Sequence, residues 1–486
     1  MRKIFITAIF IIQMTGISKS QSFEYIYSTP YNDGVESAVT DLAGNTYLAG
    51  STNNFSAGLI VKINSNGDSV KTLKFPSAGI SFVFTEILKL NDTLLTAFGW
   101  DNPPGTNDLQ IVYLKFDSSL NILDLKTIGS ATYGEIIRRA KINFDNEIIC
   151  VGRAHDFVNI DDQNFFYKLS LNGDSIYSAY FGDTAFINYE NLFDFIQLND
   201  TSGYYLFGHG YFSSFPYSSS YVYKTDNNAI VDTMIYLNGG YINTIQKINN
   251  NSFIRVTATD SLFPSTSPNT NLLVEYYDYG LNKINSILLG LKDTSDTEGI
   301  NTIAMHNKKI YIGGTSNYSG PWEPDPVFFY LAQIDSIGNV NWEKAYSHND
   351  DNLNMYFVRI ANDGGILLGG TRYNDQTSNG QERDIYVIKL DSLGNFVTGI
   401  NEQPAVQVHD VVVYPNPAQD VIKIQSSVQF YATEFALYDA LGRKALEKKI
   451  NKNASVSVSQ LQAGLYFYRV KDKEGKTVGG KIVIGN

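Results

Sequence analysis

One cysteine, Cys150, stands in 486 residues, so no internal disulfide can form and stability has to come from core burial. Histidine is almost as scarce, at five scattered positions. Neither an H-E-x-x-H pair nor a G-x-S-x-G elbow occurs, which removes the usual signatures of zinc hydrolysis and serine acyl transfer. Charged residues make up 18% of the chain, and helical periodicity is almost absent. Past the first twenty residues no apolar run approaches the roughly 20 residues that a membrane helix needs. The unequal distribution of charge argues against nucleic acid as a partner: residues 21–410 carry an excess of about 20 acidic groups, and phosphate binding requires a basic footprint. That acidity suits solubility outside a cell.

What the sequence does contain begins with a leader. Arg2 and Lys3 precede the apolar run Ile4 to Met14, followed by small and polar residues to Ser20, the pattern of a signal peptide over 1–20. No cysteine follows the run, so lipid attachment at a new N-terminal cysteine is excluded, and a soluble or surface-attached mature protein is expected. Tyrosine and phenylalanine are frequent, with Asn, Ser, Thr and Gly between short apolar runs, as in exposed all-β proteins.

Self-similarity then decides the architecture. Second-strand endings recur at Ala49-Gly50, Phe98-Gly99, Val151-Gly152, Phe207-Gly208, Thr257-Ala258, Gly313-Gly314 and Gly369-Gly370, a period of about 50 residues. A four-stranded antiparallel unit cannot bury both faces alone, and units of this length around an axis make propeller blades. The fold class is therefore all-β: a seven-bladed β-propeller of four-stranded antiparallel blades over 21–400, with six or eight blades also compatible with the looser units. Asn66-Gly67, Asn172-Gly173, Gly338-Asn339 and Gly394-Asn395 supply the positive φ of tight hairpins. The small residues ending the second strands are expected to let neighbouring blades approach closely. The last unit stops after its third strand, so Phe23 to Ser28 is expected to supply the missing outer strand and close the ring.

The stretches Asp41-Leu-Ala-Gly-Asn-Thr-Tyr-Leu-Ala-Gly50 and Asp363-Gly-Gly-Ile-Leu-Leu-Gly-Gly370 resemble the bacterial β-propeller repeat D-x-x-G-N-x-Y-x-x-G. After the linker-like residues 401–410 the period ends and the charge changes sign, so a second domain is expected over 411–486. Alternation and turn residues there read as a small Ig-like β-sandwich. Its motifs are Tyr414-Pro415-Asn416-Pro417, Tyr438-Asp439-Ala-Leu-Gly442-Arg443, Gly464-Leu-Tyr466 and the closing Gly480-Lys481-Ile-Val-Ile-Gly485. In that order they resemble the type A sorting domain of proteins exported by the type IX secretion system. The resemblance implies a Bacteroidetes source, recognition by the secretion translocon and a sorting peptidase, and a secreted or outer-surface location. Pro415, Asn416, Pro417, Asp439, Gly442, Arg443, Gly464, Tyr466 and Lys481 carry the motif.

Connections between second and third strands are long and share one face, where function is expected. Trp100, Asp101, His155, Asp156, His209, Tyr211, Trp322 and Tyr373 are candidate ligand-binding residues there, together with Phe215-Pro-Tyr217 and Tyr318. Aromatic plates beside carboxylates and amides suit a glycan or a protein ligand, and the alternative is local packing. His155 and His209 fall at matching places in adjacent blades by this reading, which leaves an acid-base or metal site open beside simple solvation. No catalytic residue, no cofactor and no metal is assigned. Cys150 reads as core, and Asp183 with Glu190, Asp293 with Asp296, and Asp350-Asp351 as solvated acids. Asp68-Ser-Val, Asp92-Thr-Leu, Asp174-Ser-Ile, Asp335-Ser-Ile and Asp391-Ser-Leu resemble a Bacteroidetes O-glycosylation acceptor and are equally ordinary turn chemistry. Three roles follow: a non-catalytic binding or adhesion scaffold, a propeller enzyme using loop carboxylates such as Asp156 and Asp162 on polysaccharide, and a structural surface component.

Overall fold

A computed structural model describes residues 22–485 except 78–80, 103–108, 131, 157–160, 183–185, 200–201, 213–217, 238–243, 259–270, 291–295, 298, 300, 317–326, 350, 374–381, 397–410, 427–431, 440–441, 452–453 and 474–476. The leader and the linker 401–410 thus lie outside the described residues. Two compact units divide near residue 400, the first ending at Gly399 and the second beginning at Ile400.

The first unit contains seven antiparallel sheets in succession: blade 1 (34–76), blade 2 (82–128), blade 3 (133–181), blade 4 (186–237), blade 5 (244–289), blade 6 (296–346) and blade 7 (352–390). Strands within a blade run in sequence order, and the first strand of each blade meets the first strands of both neighbours in a closed circuit, so first strands are innermost. Blade 7 supplies three strands of its own, and Phe23–Tyr27 adds the fourth, antiparallel to Asp384–Leu390 with Phe23 opposite Lys389 and Tyr27 opposite Ile385. Seven clusters of buried apolar residues exist in this unit, each shared by two adjacent blades. Each sheet therefore buries its faces against its neighbours, which is why one blade alone would not be stable.

The repeat motif has a physical account residue by residue. In the hairpin Asp335–Asn339, the Asp335 carboxylate accepts the backbone N–H of Ile337 (3.0 Å) and of Asn339 (2.9 Å), and the Asn339 amide donates to its other oxygen (2.8 Å). Asp391 does the same for Leu393 and Asn395. Hydrogen bonds from Asn339 hold the Asp335 carboxyl below its ordinary range. Gly338 takes the left-handed position at φ 99°. Leu120, Ala229 and Leu281 take it at 58°, 55° and 61°, so in those hairpins the cap holds a non-glycine residue there. The tyrosine of the motif ties blades together: Tyr47 Oη donates to the Ser118 carbonyl of blade 2 (2.8 Å). Tyr205 and Tyr311, at the same second-strand position, reach a hairpin carbonyl of the following blade in the same way, and Tyr113 and Tyr276 do so from third strands.

In four blades the closing glycine of the motif serves a purpose other than the one expected. Inner strands bulge at the same place in five blades, around Glu36, Thr85, Arg138, Phe193 and Tyr356. Gly50, Gly99, Gly152 and Gly370 lie opposite that bulge, where a Cβ would overlap the carbonyl oxygen of Gly34, Val83, Ile136 or Asn354 in the same blade. At these four positions the small residue is thus required by its own blade's inner strand, whereas at Gly313 a Cβ would meet Met355 and Val358 of the neighbouring blade, as expected.

Directly after the bulge comes a polar position that builds a belt around the axis. The Arg139 guanidinium lies 3.2 Å from Glu86 Oε2 and 3.0 Å from Asp194 Oδ2, with all three side chains nearly inaccessible. Ser37 donates to Glu86, and Arg359 reaches Glu86 (3.4 Å), Ser37 and the carbonyls of Ala38 and Asn301. Asp194 also accepts the Ile245 N–H (2.8 Å) and holds Lys141 (2.5 Å). Thr244 of blade 5 donates to Gly299, which completes the circuit through blade 6.

In the second unit, strands Val411–Tyr414, Val421–Ser426 and Ala454–Ser457 form one sheet, and Lys444–Lys449, Ala432–Tyr438, Gly464–Asp472 and Thr477–Ile484 form the other. One cluster that includes Ile422, Ile424, Phe435, Leu437, Val470 and Ile482 fills the space between them.

Candidate functional site

Of the loop residues expected to form a ligand site, Asp101, His155 and Tyr373 are each engaged by a near neighbour. Asp101 sits at the end of the second strand of blade 2 and accepts the Ser77 hydroxyl at 2.5 Å, with Trp100 half-buried beside it. His155 Nδ1 lies 2.7 Å from Asp162 Oδ1, and Arg153 holds the other oxygen at 3.1 Å. Tyr373 packs against Arg383, whose guanidinium lies 5.3 Å from its ring. Asp156 and Tyr211 are paired in strands, opposite Tyr133 and Ser218, and their side chains fall outside the described residues. Trp322, Tyr318 and Phe215 to Tyr217 lie wholly outside them.

His155 and His209 are not matched, contrary to expectation. Aligned on Gly152 and Gly208, which lie opposite the inner-strand bulge, His155 is the third residue after and His209 the first. His209 shares the face of Phe207, packed towards blade 5, and is 1% exposed; burial pushes its imidazole down to about 3. His155 shares the face of Val151, which packs towards blade 4. Glu190 and Asp351, read as solvated, are buried as well: Glu190 accepts the Tyr223 hydroxyl (2.9 Å) and Asp351 holds His348 and Arg372. Among the described residues no group of three His, Cys, Asp or Glu is placed to hold a metal ion.

A groove of about 580 Å³ runs instead along the outer seam between blades 3 and 4. Tyr177, Tyr180, Phe181 and Tyr223 line it with Met234 and the aliphatic turn Ala229 to Val231. Tyr180, on the opposite face of the outer strand from Ala179 and Phe181, turns its ring towards blade 2. Tyr180 Oη donates to Glu135 Oε1 at 2.6 Å, alongside Tyr167 (3.2 Å) and the Ser130 N–H (2.8 Å), and Tyr133 stacks on Tyr180 at 4.3 Å. Glu135 is inaccessible, and burial, opposed only in part by these donors, raises its carboxyl to about 7. Tyr223 is held by Glu190 and meets Phe181 edge-on at 5.4 Å. Gly182 keeps the upper end open, since a Cβ there would run into the Glu190 carboxylate.

A lysine bridge that spans two other seams is absent from this one. At the fifth position of the outer strand, blade 2 carries Lys126 and blade 6 carries Lys344. Lys126 reaches Asp174 in the following blade (2.9 Å), and Lys344 reaches the Leu393 carbonyl (2.8 Å) and Asn395 (2.7 Å). Blade 3 has Ala179 at that position, and the outer strands Ser175–Phe181 and Val231–Leu237 contain no lysine. Sequence reasoning concentrated on loops and missed this; lysine stands at that position in blades 2 and 6 only, with Leu73, Ile235 and Ile287 in blades 1, 4 and 5, so no departure from the repeat marked it.

In the second unit most motif residues are structural. The Asn416 side chain accepts the Val483 N–H (2.9 Å) and donates to the Lys481 carbonyl (3.3 Å), mimicking a strand along the last strand's edge. Pro415 and Pro417 flank it, each after a cis peptide bond. Asp439 caps its turn through the Arg443 N–H (2.9 Å) and Arg443 Nε (2.8 Å), with Gly442 at φ 78°. Tyr466 points into the core and donates to the Gln462 carbonyl (3.0 Å). Gly464 and Lys481 are exposed.

A family model described as a secretion system C-terminal sorting domain matches residues 412–485. The chain thus carries a tail for export by the type IX system to the cell surface or the medium. No helix among the described residues is long and apolar enough to cross a membrane. A search of curated proteins returned no match. Among solved structures, the extracellular domain of a hybrid two-component system protein from B. thetaiotaomicron is similar at 14% identity and a TM-score of 0.42, over 96% of this chain and 58% of that one. The β-propeller domain of the Trilobed protease from Pyrococcus furiosus matches at 10% identity and 0.41, over 78% and 99%. An α-L-arabinofuranosidase from Fusarium graminearum, in complex with an iminosugar inhibitor, matches at 10% and 0.44, over 77% and 98%. These likenesses concern the fold alone.

Proposed function

We propose that this exported propeller is a non-catalytic binding protein whose ligand seat is the groove between blades 3 and 4, and that the ligand is a glycan chain. The observation that carries the reading is the set of aromatic walls, Tyr177, Phe181 and Tyr223, the last anchored through its hydroxyl on Glu190. Pre-set rings cost little ordering entropy on binding and offer flat apolar faces to the C–H faces of a sugar. What supports binding over hydrolysis is that Asp162, one half of the carboxylate pair suggested for an enzyme, is already engaged by Arg153 and His155. A hydrolytic pair would instead need one carboxyl to deliver a proton to the leaving group.

The test uses the rest of the molecule as its template. Ala179→Lys introduces at this seam the side chain that Lys126 and Lys344 supply at theirs, so it fills the groove without disturbing the core. Affinity electrophoresis of the full-length mature protein against soluble polysaccharides is expected to show retardation that Ala179→Lys and Phe181→Ser abolish, with no reducing ends released. Equal retardation of Ala179→Lys and the parent would sink the assignment of the groove, and turnover lost in Asp162→Asn would replace binding by catalysis.

A further inference from the structure

Part of the motif that identifies the sorting tail serves folding: Asn416 covers the last strand's edge, Asp439 and Gly442 make a turn, and Tyr466 fills the core. Gly464 and Lys481 stay exposed on the strands that carry the motif, so the surface around them is where the export machinery can touch it. The outer face of the four-stranded sheet offers one contiguous apolar group: Leu465 stands directly opposite Val483, and Phe467 follows two residues on, beside Tyr438. These side chains are 44%, 39% and 47% exposed for Leu465, Val483 and Phe467, where a strand's outward face would ordinarily be polar. In the first unit Leu42, Ile337 and Leu393 sit on separate hairpin turns, and others such as Leu123, Leu125 and Ile235 on the outer strands of separate blades.

Edge-on strand addition is disfavoured at both ends of this sheet. Asn416 and Ala418 already bond to Thr477–Ile484, and the opposite edge, Lys444–Lys449, carries three lysines, a common guard against pairing. Docking is left to the face. Its surroundings are basic: residues 411–486 hold eleven Lys and Arg against six Asp and Glu, and on this sheet Glu434 and Glu447 are each opposed by a cation, Arg469 and Lys444.

We infer that the Leu465–Phe467–Val483 face is the surface by which the sorting tail is read, and that its partner is a component of the export machinery presenting an apolar depression rimmed by carboxylates. This rests on the export role of the tail. Removing residues 400–486 from the full chain in its host tests that role separately, since export that survives the deletion would overturn the role itself.

With the deletion arm positive, Leu465→Thr/Phe467→Thr/Val483→Thr is the main variant, because threonine keeps the strand and removes the apolar surface. Exported protein is expected to fall at least about tenfold, with full-length chain accumulating between the two membranes, as if about 1.4 kcal/mol or more of recognition were lost. Should the triple variant be degraded, Val483→Thr alone, nearly isosteric, is expected to lower export several-fold while resisting protease as the parent does. Lys471→Glu/Lys481→Glu is expected to lower export too. Parent-level export of a protease-resistant Val483→Thr or triple variant overturns the surface, and parent-level export of the charge variant overturns the acidic rim. A change in oligomeric state of the full chain with export intact would assign the face to a second copy and overturn the proposal as well.

Discussion

Arg139→Met cuts the axial belt at its centre, and its consequence can be worked out from the contacts. The guanidinium is 6% exposed between Glu86 at 3% and Asp194 at 0%, so its loss leaves two buried carboxylates with one fewer cation. Removing one member of a buried ion pair costs about 3–5 kcal/mol. Glu86 keeps Arg359 and Ser37, and Asp194 keeps Lys141 and the Ile245 N–H, so the lower end, about 3 kcal/mol, is expected. All three tryptophans, Trp100, Trp322 and Trp342, lie in the first unit, which makes their fluorescence a readout of the propeller alone. For a urea m-value of about 3 kcal/mol/M, the midpoint should drop by about 1 M. Burial opposes ionisation of Asp194, but Arg139 and Lys141 outweigh it and hold the carboxyl below its usual range. That contribution is present above the ordinary carboxylate pKa and is lost as pH falls through the depressed one. The parent should therefore weaken only on strong acidification, while Arg139→Met starts weak at neutral pH. Glu86→Gln/Arg139→Met should cost less than the sum of its parts by about 1 kcal/mol or more. A loss below about 1 kcal/mol for Arg139→Met, with additive doubles, would refute the belt as an energetic unit.

Glu135 gives a prediction of opposite sign. Its carboxyl is raised to about 7 from the model-compound value of 4.5, so the folded chain retains a proton that the unfolded chain releases, and stability falls as pH rises through that window by about 3 kcal/mol. Glu135→Gln should match the parent near pH 5 and exceed it at pH 8 in the same urea assay; parallel curves would contradict this. Gly50→Ala places a methyl on the Gly34 carbonyl and should cost at least about 3 kcal/mol or prevent expression, whereas Gly442→Ala, with open space around it, should report only its turn strain. Deleting residues 22–28 removes Phe23 and Tyr25 from the core shared by blades 7 and 1, and cooperative unfolding by tryptophan fluorescence should be lost; a sharp transition at the parent midpoint would show that Phe23–Tyr27 does not close the ring.

Much of the propeller was legible because its determinants are local. The Asp-to-Asn turn, the tyrosine latch and the glycine at the second strand's end each act within a hairpin or on the next one, so a period of about 50 residues exposes them. The closing strand was legible for a related reason: its sequence parallels another outer strand. What stayed hidden depends on a bulge. One extra residue in the inner strand shifts the register, and no composition cue marks it. Hence the glycine of four blades was assigned to the wrong neighbour, the histidines were aligned two positions out, and Glu86, Arg139 and Asp194 were not seen as one line around the axis. The groove stayed hidden for another reason: lysine stands at the position of Ala179 in only two blades, so even outer strands in register show no departure there.

The acidic excess of the first unit changes meaning in the same light. Read from composition it is a solvated surface charge, yet Glu86, Glu135, Asp162, Glu190, Asp194, Glu275 and Asp351 are all buried, on inner strands, within blades or in the seams between them. Most are matched within their own blade, Glu275 by Arg255 at 2.6 Å and Tyr277 at 3.0 Å for instance, whereas Glu86 and Asp194 find Arg139 in the neighbouring blade, so these two bear on which blade faces which. Apolar seams alone would let similar blades pack in more than one order, because their core residues are interchangeable Val, Ile, Leu and Tyr. A buried carboxylate that finds its cation only in one neighbour penalises every other arrangement by the cost of an unpaired charge. On this argument Glu86→Leu/Arg139→Leu/Asp194→Leu, which leaves the seams apolar, should forfeit less stability than Arg139→Met yet refold with a lower yield of monomer. A triple variant that refolds as cleanly as the parent would show that the apolar seams already suffice to order the ring.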